Sequence, residues 1–204
     1  PLGYDNGSAN FSGNKGIRSG RQKGAEATVS DFDFAGRLSY FGILGWNFGA
    51  SFYKGNSETS DFEADSTQIG ITMMGVDARY NNGPFQARGQ YILANLENTA
   101  EYNAKTGGDV GSKLLGYYLE AGYNVLDGKS ENELIVFGRY ENYNTHEETD
   151  GFDANAAYDR TDKTLGLTYK LNQGAALKAD YQLKSTEASS EETKHLNFGV
   201  AVWF

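Results

Sequence analysis

Apolar and polar residues alternate along most of this chain, from about residue 26 to residue 204. In the stretch "DFDFAGRLSY", Phe32, Phe34 and Leu38 share one side, and Asp33 and Arg37 share the other. A period of two predicts β-strands, because successive side chains of a strand point to opposite faces. We therefore predict an all-β, antiparallel fold with about nine strands and no helix. The predicted strands cover residues 26–40, 45–55, 74–82, 84–93, 114–124, 133–143, 164–171, 175–184 and 195–204.

The connections between the predicted strands alternate between short and long along the chain. Those around residues 42, 82, 128 and 173 are short, and those around residues 60, 104, 152 and 189 are long and polar. Tight turns at one end and long loops at the other are typical of outer-membrane β-barrels. Residues 1–25 are rich in Gly, Asn and Ser, which predicts an extracellular loop or a disordered segment. On this interpretation, residues 26–204 form the transmembrane barrel portion.

A soluble β-sandwich or barrel has the same alternation, with its apolar side turned inward. The length of the predicted strands favours lipid, since most of them have about 10 residues or more and soluble strands usually have about five or six. Aromatic residues also gather at the strand ends near the short turns, as in the girdles where amphipathic rings lie at a membrane interface. The predicted membrane-interface aromatics are Tyr40, Trp46, Tyr80, Phe85, Tyr123 and Tyr169.

The composition of the chain is compatible with a barrel and argues against several other classes of protein. The mean hydropathy of −0.58 is low, but only alternate strand residues of a barrel face lipid. No stretch approaches the roughly 20 apolar residues of a membrane helix. Cysteine is absent, which excludes disulfides and cysteine-bound metals. The net charge of −9, without a basic stripe, argues against a nucleic-acid partner.

The last ten residues, "HLNFGVAVWF", place apolar side chains at every second position and end in Phe204. This strand resembles the assembly signal of Gram-negative outer-membrane barrels. The segments "GYYLEAGYNV" and "ELIVFGRYENYN" resemble late strands of the phosphate-selective porin O/P type, and the resemblance covers about residues 26–204. It implies a trimeric diffusion channel of about 16 strands in the bacterial outer membrane. It also implies contact with outer-membrane lipid, lipopolysaccharide and the barrel assembly machinery.

The predicted strand count does not close a barrel. If Phe204 ends at the periplasmic side, the first predicted strand begins outside the cell, whereas bacterial barrels have even strand numbers and begin in the periplasm. An open sheet also leaves two unpaired edges in hydrocarbon, which is costly. We therefore expect this chain to be part of a larger barrel, whose other strands come from another chain or from a missing N-terminal part. The alternative is a tenth strand before residue 26.

The polar sides of the predicted strands carry the candidate pore-lining residues. Basic and acidic side chains nearly balance there, so most of the excess negative charge lies in the loops. Rings of Arg and Lys favour anions in a pore, whereas neighbours such as Arg139 and Glu141 instead pair and solvate the wall. The same alternative holds for Asp77 with Arg79 and for Lys178 with Asp180. The predicted pore-lining residues are Arg37, Asp77, Arg79, Arg88, Glu120, Arg139, Glu141, Lys178 and Asp180.

Neither metal binding nor catalysis has a motif in this sequence. The acidic loops "ETSDFEADS" and "THEETDGFDAN" carry carboxylates that suit divalent cations, but the Asp61, Glu63, Asp65 spacing lacks the Gly and terminal Glu of a calcium loop. We therefore predict solvated loops, with divalent bridging to lipopolysaccharide as the alternative. His146 and His195 are the two histidines, neither has an evident Ser partner, and we predict both to be surface residues. We predict a non-enzymatic porin without cofactors that passes small hydrophilic solutes or ions. A plugged or structural barrel that binds a protein partner is the alternative.

Overall fold

The computed structural model describes residues 4–5, 11–20, 32–59, 68–172 and 174–202. Most of this chain is β-strand, with one α-helix and short 3₁₀-helices among the described residues. The 3₁₀-helices cover Arg18–Gly20 and Ala156–Tyr158, and the α-helix α1 covers Thr99–Thr106. The strands are β1 (Tyr4–Asp5), β2 (Phe34–Tyr40), β3 (Trp46–Asn56), β4 (Glu58–Thr59), β5 (Gly70–Asn82), β6 (Phe85–Glu97), β7 (Lys113–Asn124), β8 (Glu133–Glu148), β9 (Asp159–Asn172), β10 (Ala175–Thr186) and β11 (Ser189–Val202).

Nine of these strands form one antiparallel sheet in the order β2-β3-β5-β6-β7-β8-β9-β10-β11. Each strand pairs with its neighbours along the chain, apart from the two-residue strand β4, which pairs in parallel with β1. The antiparallel all-β fold of about nine strands, predicted from the period-two pattern, is therefore confirmed. The sheet is a long meander, which needs only tight turns or local loops between its strands.

The sheet is open along both edges in the described part of the chain. Strand β2 pairs only with β3, and strand β11 pairs only with β10. Strand β11 is long and apolar on one face, with Leu196, Phe198 and Val200 exposed by 63%, 78% and 73%. An exposed, long, apolar edge of this kind is a site for pairing with a further strand.

The two faces of the sheet differ in chemistry. The register places most of the exposed apolar side chains of the nine strands on one face, here called the apolar face. It carries, strand by strand, Leu38, Phe52, Val76, Tyr91, Leu119, Val136, Leu165, Leu177 and Phe198. The opposite face, here called the polar face, carries charged and amide side chains such as Arg37, Asp77, Arg88, Glu120, Arg139, Gln182 and Asn197.

The buried core is a small cluster at the loop end of the sheet, on the same side as the polar face. Its members come from the N-terminal segment, the loop ends of β5 and β6, and the connection that contains α1. Phe11 and Tyr102 pack with a ring-centroid distance of 5.9 Å. The cluster consists of Phe11, Ile69, Ile71, Leu96, Tyr102 and Val110.

Helix α1 lies where the sequence predicted a long polar loop without a helix, so that prediction is wrong for residues 99–106. The helix is flanked by two residues in the left-handed conformation, Asn98 at φ 63° and Gly107 at φ 68°. At its C-terminal end, the Gly107 N–H donates a hydrogen bond to the Asn103 carbonyl. Its eight residues are too few to produce a clear helical period in a sequence pattern. Tyr102 anchors the helix to the buried cluster.

Two of the predicted loops are also shorter than expected. Strand β8 continues to Glu148, and β10 and β11 meet at a two-residue turn, Glu187–Ala188, where a long loop was predicted around residue 189. These strands extend into stretches that are polar on both faces, so alternation of apolar and polar residues cannot reveal them. Among the described residues, no helix has the length and apolar character needed to span a membrane.

Candidate functional site: two charged rows on the polar face

A row of charged side chains crosses four adjacent strands of the polar face. In the hydrogen-bonding register, Arg79 lies opposite Arg88, Arg88 opposite Glu120, and Glu120 opposite Arg139. We call these four residues the arginine row. The β5–β6 hairpin fixes its first pair, because Gly83 adopts φ 57° in a two-residue turn that places Asn82 opposite Phe85.

Glu120 holds the arginine row together. Its carboxylate accepts two hydrogen bonds from Arg88, at 2.9 Å from Nε and 3.0 Å from Nη2, which is the bidentate geometry of a strong pair. The Nη1 of Arg139 lies 3.8 Å from the same carboxylate, and its guanidinium lies 3.9 Å from the ring centroid of Tyr118. Arg79 makes no salt bridge within the described part of the chain. The row therefore has an excess of positive charge.

A second row lies two residues nearer the loop end and is mainly acidic. The register connects Asp77 through Gln90 and Tyr118 to Glu141, and Glu141 through Asp162 to Lys184. We call Asp77, Glu141, Asp162 and Lys184 the acidic row. Lys184 Nζ lies 3.7 Å from Asp162, and Arg139 Nη2 lies 2.6 Å from Glu141. Opposite charges thus face each other along the strands as well as across them.

The pair between Arg37 and Asp77 spans an intervening strand. Arg37 on β2 donates to Asp77 on β5 at 2.7 Å and 3.0 Å, although β3 lies between the two strands. Gly49 is the residue of β3 beneath this pair, and a Cβ at this position would overlap both side chains. Asp77 therefore has Arg37 as its partner rather than Arg79, its predicted same-strand neighbour.

The predicted pore-lining residues all lie on the polar face, but the partners of some differ from those that the sequence suggested. Arg139 pairs with Glu141 as the spacing suggested, whereas Asp180 accepts a hydrogen bond at 2.8 Å from Asn197 on the next strand. The sequence missed Asp162 because it lay outside the predicted strand of residues 164–171, whereas β9 begins at Asp159. A pocket of about 350 Å³ on this face is lined by Arg79, Arg88, Glu120, Thr168, Lys170 and Lys178.

The N-terminal segment, residues 11–20, packs over the loop end of the polar face. The Gly13 N–H donates to Asp109 Oδ1 at 2.8 Å, and the Thr145 hydroxyl donates to the Gly13 carbonyl. Arg160 donates to the carbonyl and side-chain oxygens of Asn14 at 3.1 Å and 2.6 Å. The sequence predicted a loop here, and its extracellular location stays a prediction.

His146 lies beneath this segment and is buried, with 2% exposure, so the prediction of a surface histidine is wrong. Its Nδ1 accepts from the Asn155 N–H at 3.1 Å, and its Nε2 lies 2.5 Å from the Asp109 carbonyl oxygen, to which it therefore donates. Burial raises the pKa of the neighbouring Tyr158 above its usual value, and its hydrogen bond to Asp109 adds to this rise. His195 is exposed, within β11 rather than at its start.

The predicted interface aromatics gather at the short-turn end of the sheet. Trp46 lies 5.2 Å from Phe48 and 4.8 Å from Tyr80, and Tyr80 lies 6.4 Å from Phe85, between ring centroids. Tyr123 is opposite Phe85 in the register. Tyr40 and Tyr169 are also near the short-turn ends of their strands. The predicted assembly signal Phe204 and most of the acidic loop at residues 58–66 lie outside the described residues.

Comparison with known proteins shows that this chain is similar to an uncharacterized bacterial protein. No family model matches the sequence. The chain is 29% identical over 170 residues to an uncharacterized protein of Aquifex aeolicus (strain VF5). The match covers 79% of this chain but 39% of the relative, so this chain spans well under half of the relative's length.

Proposed function

We propose that the nine-stranded sheet is part of a transmembrane β-barrel in the bacterial outer membrane. Its polar face lines a channel through which small hydrophilic solutes or ions pass by diffusion. The observation that carries this proposal is the division of the sheet into an exposed apolar face and a charged, internally paired polar face. Exposed apolar patches of this extent need a cover, and lipid covers the outside of a barrel while water fills its lumen.

The height of the apolar face supports a membrane location. On β3, β7, β9 and β11, about eight to eleven residues separate the short-turn end from the first charged residue on this face. At roughly 3.3 Å per residue and a tilt of roughly 40°, this distance corresponds to about 20–28 Å across the membrane. The apolar band of outer-membrane barrels is about 25 Å tall.

The open edges support a barrel that is completed by further strands. Unpaired backbone groups are costly in hydrocarbon, so β2 and β11 need partners there. We propose that these come from another chain or from another part of the protein, to give about 16 strands in all and a homotrimer. The intact mass of the folded, detergent-solubilised protein tests this. A monomeric species of about 22 kDa that is fully folded by itself would contradict it.

Conductance in planar lipid bilayers tests the channel directly. The charges on the polar face are paired across strands, so we expect stepwise ion currents with only modest ion selectivity. Protein that inserts into the bilayer but carries no current would contradict the diffusion channel. Insertion is monitored separately by resistance of the protein to carbonate extraction from liposomes.

A plugged barrel is the second candidate, because the N-terminal segment packs over the loop end of the polar face. In this case the segment closes the lumen, and the barrel serves to hold a partner at its loops. Replacement of residues 11–20 by a Gly/Ser linker distinguishes the two. A silent wild type that conducts after the replacement favours the plug, whereas equal conductance of the two proteins removes it.

A further inference from the structure

Four lysines lie on the apolar face, where the apolar band ends toward the loops. Each is the first charged residue on this face when its strand is followed from the short-turn end. Lys54 is eight residues from Trp46, Lys113 eleven from Asn124, Lys163 nine from Asn172, and Lys194 eight from Val202. The four therefore lie at a similar height, although their strands are spread across the sheet. We call Lys54, Lys113, Lys163 and Lys194 the lysine belt.

The register shows that these side chains belong to the apolar face. Lys54 lies opposite Phe34. Lys163 lies opposite Tyr140 and Leu183, and Lys194 lies opposite Leu183 from the other side. A lysine among such neighbours can lay its aliphatic stem along apolar surface and direct its ammonium group toward the polar boundary.

Within the part of the chain that the structure describes, most of the belt lacks an acidic partner. Lys113 pairs with Glu148 at 2.7 Å, whereas Lys54, Lys163 and Lys194 are exposed and have no salt bridge among the described residues. On the polar face, by contrast, Lys170 pairs with Glu133 at 2.7 Å and Lys184 lies 3.7 Å from Asp162. Four lysines of the sheet therefore have no salt bridge among the described residues: three lie on the face that we assign to lipid, and Lys178 lies on the polar face.

We infer that the lysine belt binds the phosphate groups of a phosphorylated glycolipid in the outer leaflet. This inference rests on the proposed membrane location of the apolar face. Lysines at a membrane boundary attract anionic headgroups, and they do so here on a chain whose net charge of −9 otherwise repels them. A second copy that docked through the same face would bring like-charged lysines together, so charge complementarity favours an anionic lipid as the occupant.

The test compares lipid binding by two triple variants. K54Q/K163Q/K194Q removes the unpaired lysines of the belt, and K170Q/K178Q/K184Q makes the same charge change on the polar face. Native mass spectrometry of the detergent-solubilised protein measures the affinity for lipid A with two phosphates and for the same lipid without phosphate. We expect the belt variant to lose on the order of 100-fold in affinity for the phosphorylated lipid, at about 1 kcal/mol for each of its three lysines. The polar-face variant keeps the wild-type affinity.

Three results would overturn the inference. They are a belt variant within twofold of wild type, an equal loss in the polar-face variant, and a wild type that binds both lipids equally well. The wild-type conductance separates this inference from the proposed function. If wild type conducts while the belt variant keeps its affinity, the lipid site alone is refuted. If wild type inserts without conducting while the lysine-dependent affinity persists, the channel alone is refuted.

Discussion

Gly49 is the single residue on which the arrangement of charges at the β2 edge depends most. The Arg37–Asp77 pair passes over β3 at this position, and any side chain there would occupy the space of the two charged groups. Gly36, on the neighbouring strand, has open space where its Cβ would lie. Gly49 therefore serves as the test position and Gly36 as its control, because only at Gly49 would an added side chain meet other atoms.

We expect Gly49→Ala to destabilise the protein by about 1–3 kcal/mol, since overpacking forces Arg37 and Asp77 apart. The Gly36→Ala control should stay within about 0.5 kcal/mol of wild type, as is usual for surface substitutions. The urea midpoint of the protein folded in detergent micelles measures both changes. Equal midpoints for the two variants would show that the pair does not cross β3 as described.

Glu120 is the residue that limits the positive charge of the arginine row. It contacts both Arg88 and Arg139, so Glu120→Gln leaves two guanidinium groups without this carboxylate. We expect the permeability of chloride relative to potassium to rise by up to about fivefold. This factor corresponds to about 1 kcal/mol, which is the interaction energy of two unit charges at short range in water. Reversal potentials under a KCl gradient measure the ratio.

Glu131→Gln is the control for this charge change, because Glu131 is exposed in the short turn between β7 and β8. It should leave the permeability ratio unchanged. If Glu120→Gln and Glu131→Gln shift the reversal potential alike, the arginine row does not line the conduction path.

At the scale of elements, the position of the N-terminal segment on the sheet depends on the buried side chain of His146. This side chain joins the Asp109 carbonyl to the Asn155 N–H, and Asp109 in turn accepts from Gly13. His146→Ala leaves two partly buried groups without a partner, at about 1–3 kcal/mol each. We expect trypsin to cleave at the exposed Lys15 at least about tenfold faster, because cleavage follows the population of the opened segment.

His195→Ala serves as the control, since His195 is exposed on β11 and makes none of these contacts. Its cleavage rate should match that of wild type. An unchanged rate in His146→Ala would mean that the buried histidine does not hold the segment in place.

The elements that the sequence revealed are those with one apolar and one polar face. All nine strands of the sheet were located in this way, and so were the sides on which Arg88 and Glu120 lie. The loop ends of β8, β10 and β11 were missed because both of their faces are polar there. Helix α1 and the packing of Phe11 were missed because each depends on distant residues around Tyr102 rather than on a local period.

The same limit applies to the candidate site. Strand alternation predicts which side chains share a face, but the partners across strands follow from the register. The register depends on turns such as the one at Gly83, and a contact across a whole strand depends on a small residue such as Gly49 beneath it. Asp77 therefore pairs with Arg37, forty residues away along the chain, rather than with its neighbour Arg79.

At the scale of the whole molecule, we propose that lipid covers one face of the sheet and water the other. Strand β9 offers the clearest place to test it, because it is central enough to be paired on both sides. Leu165 and Leu167 lie on its apolar face, and the uncharged residues Thr164 and Thr168 lie on its polar face. The chain contains no cysteine, so single cysteines at these positions can be labelled selectively.

The most direct measurement is the accessibility of nitroxide spin labels at these four positions in a lipid bilayer. The relaxation of each label is measured with two agents in turn: oxygen, which concentrates in hydrocarbon, and a nickel chelate, which stays in water. We predict that labels at Leu165 and Leu167 respond mainly to oxygen and that labels at Thr164 and Thr168 respond mainly to the nickel chelate. Similar responses at all four positions, or a nickel response at Leu165 and Leu167, would contradict a lipid-facing sheet.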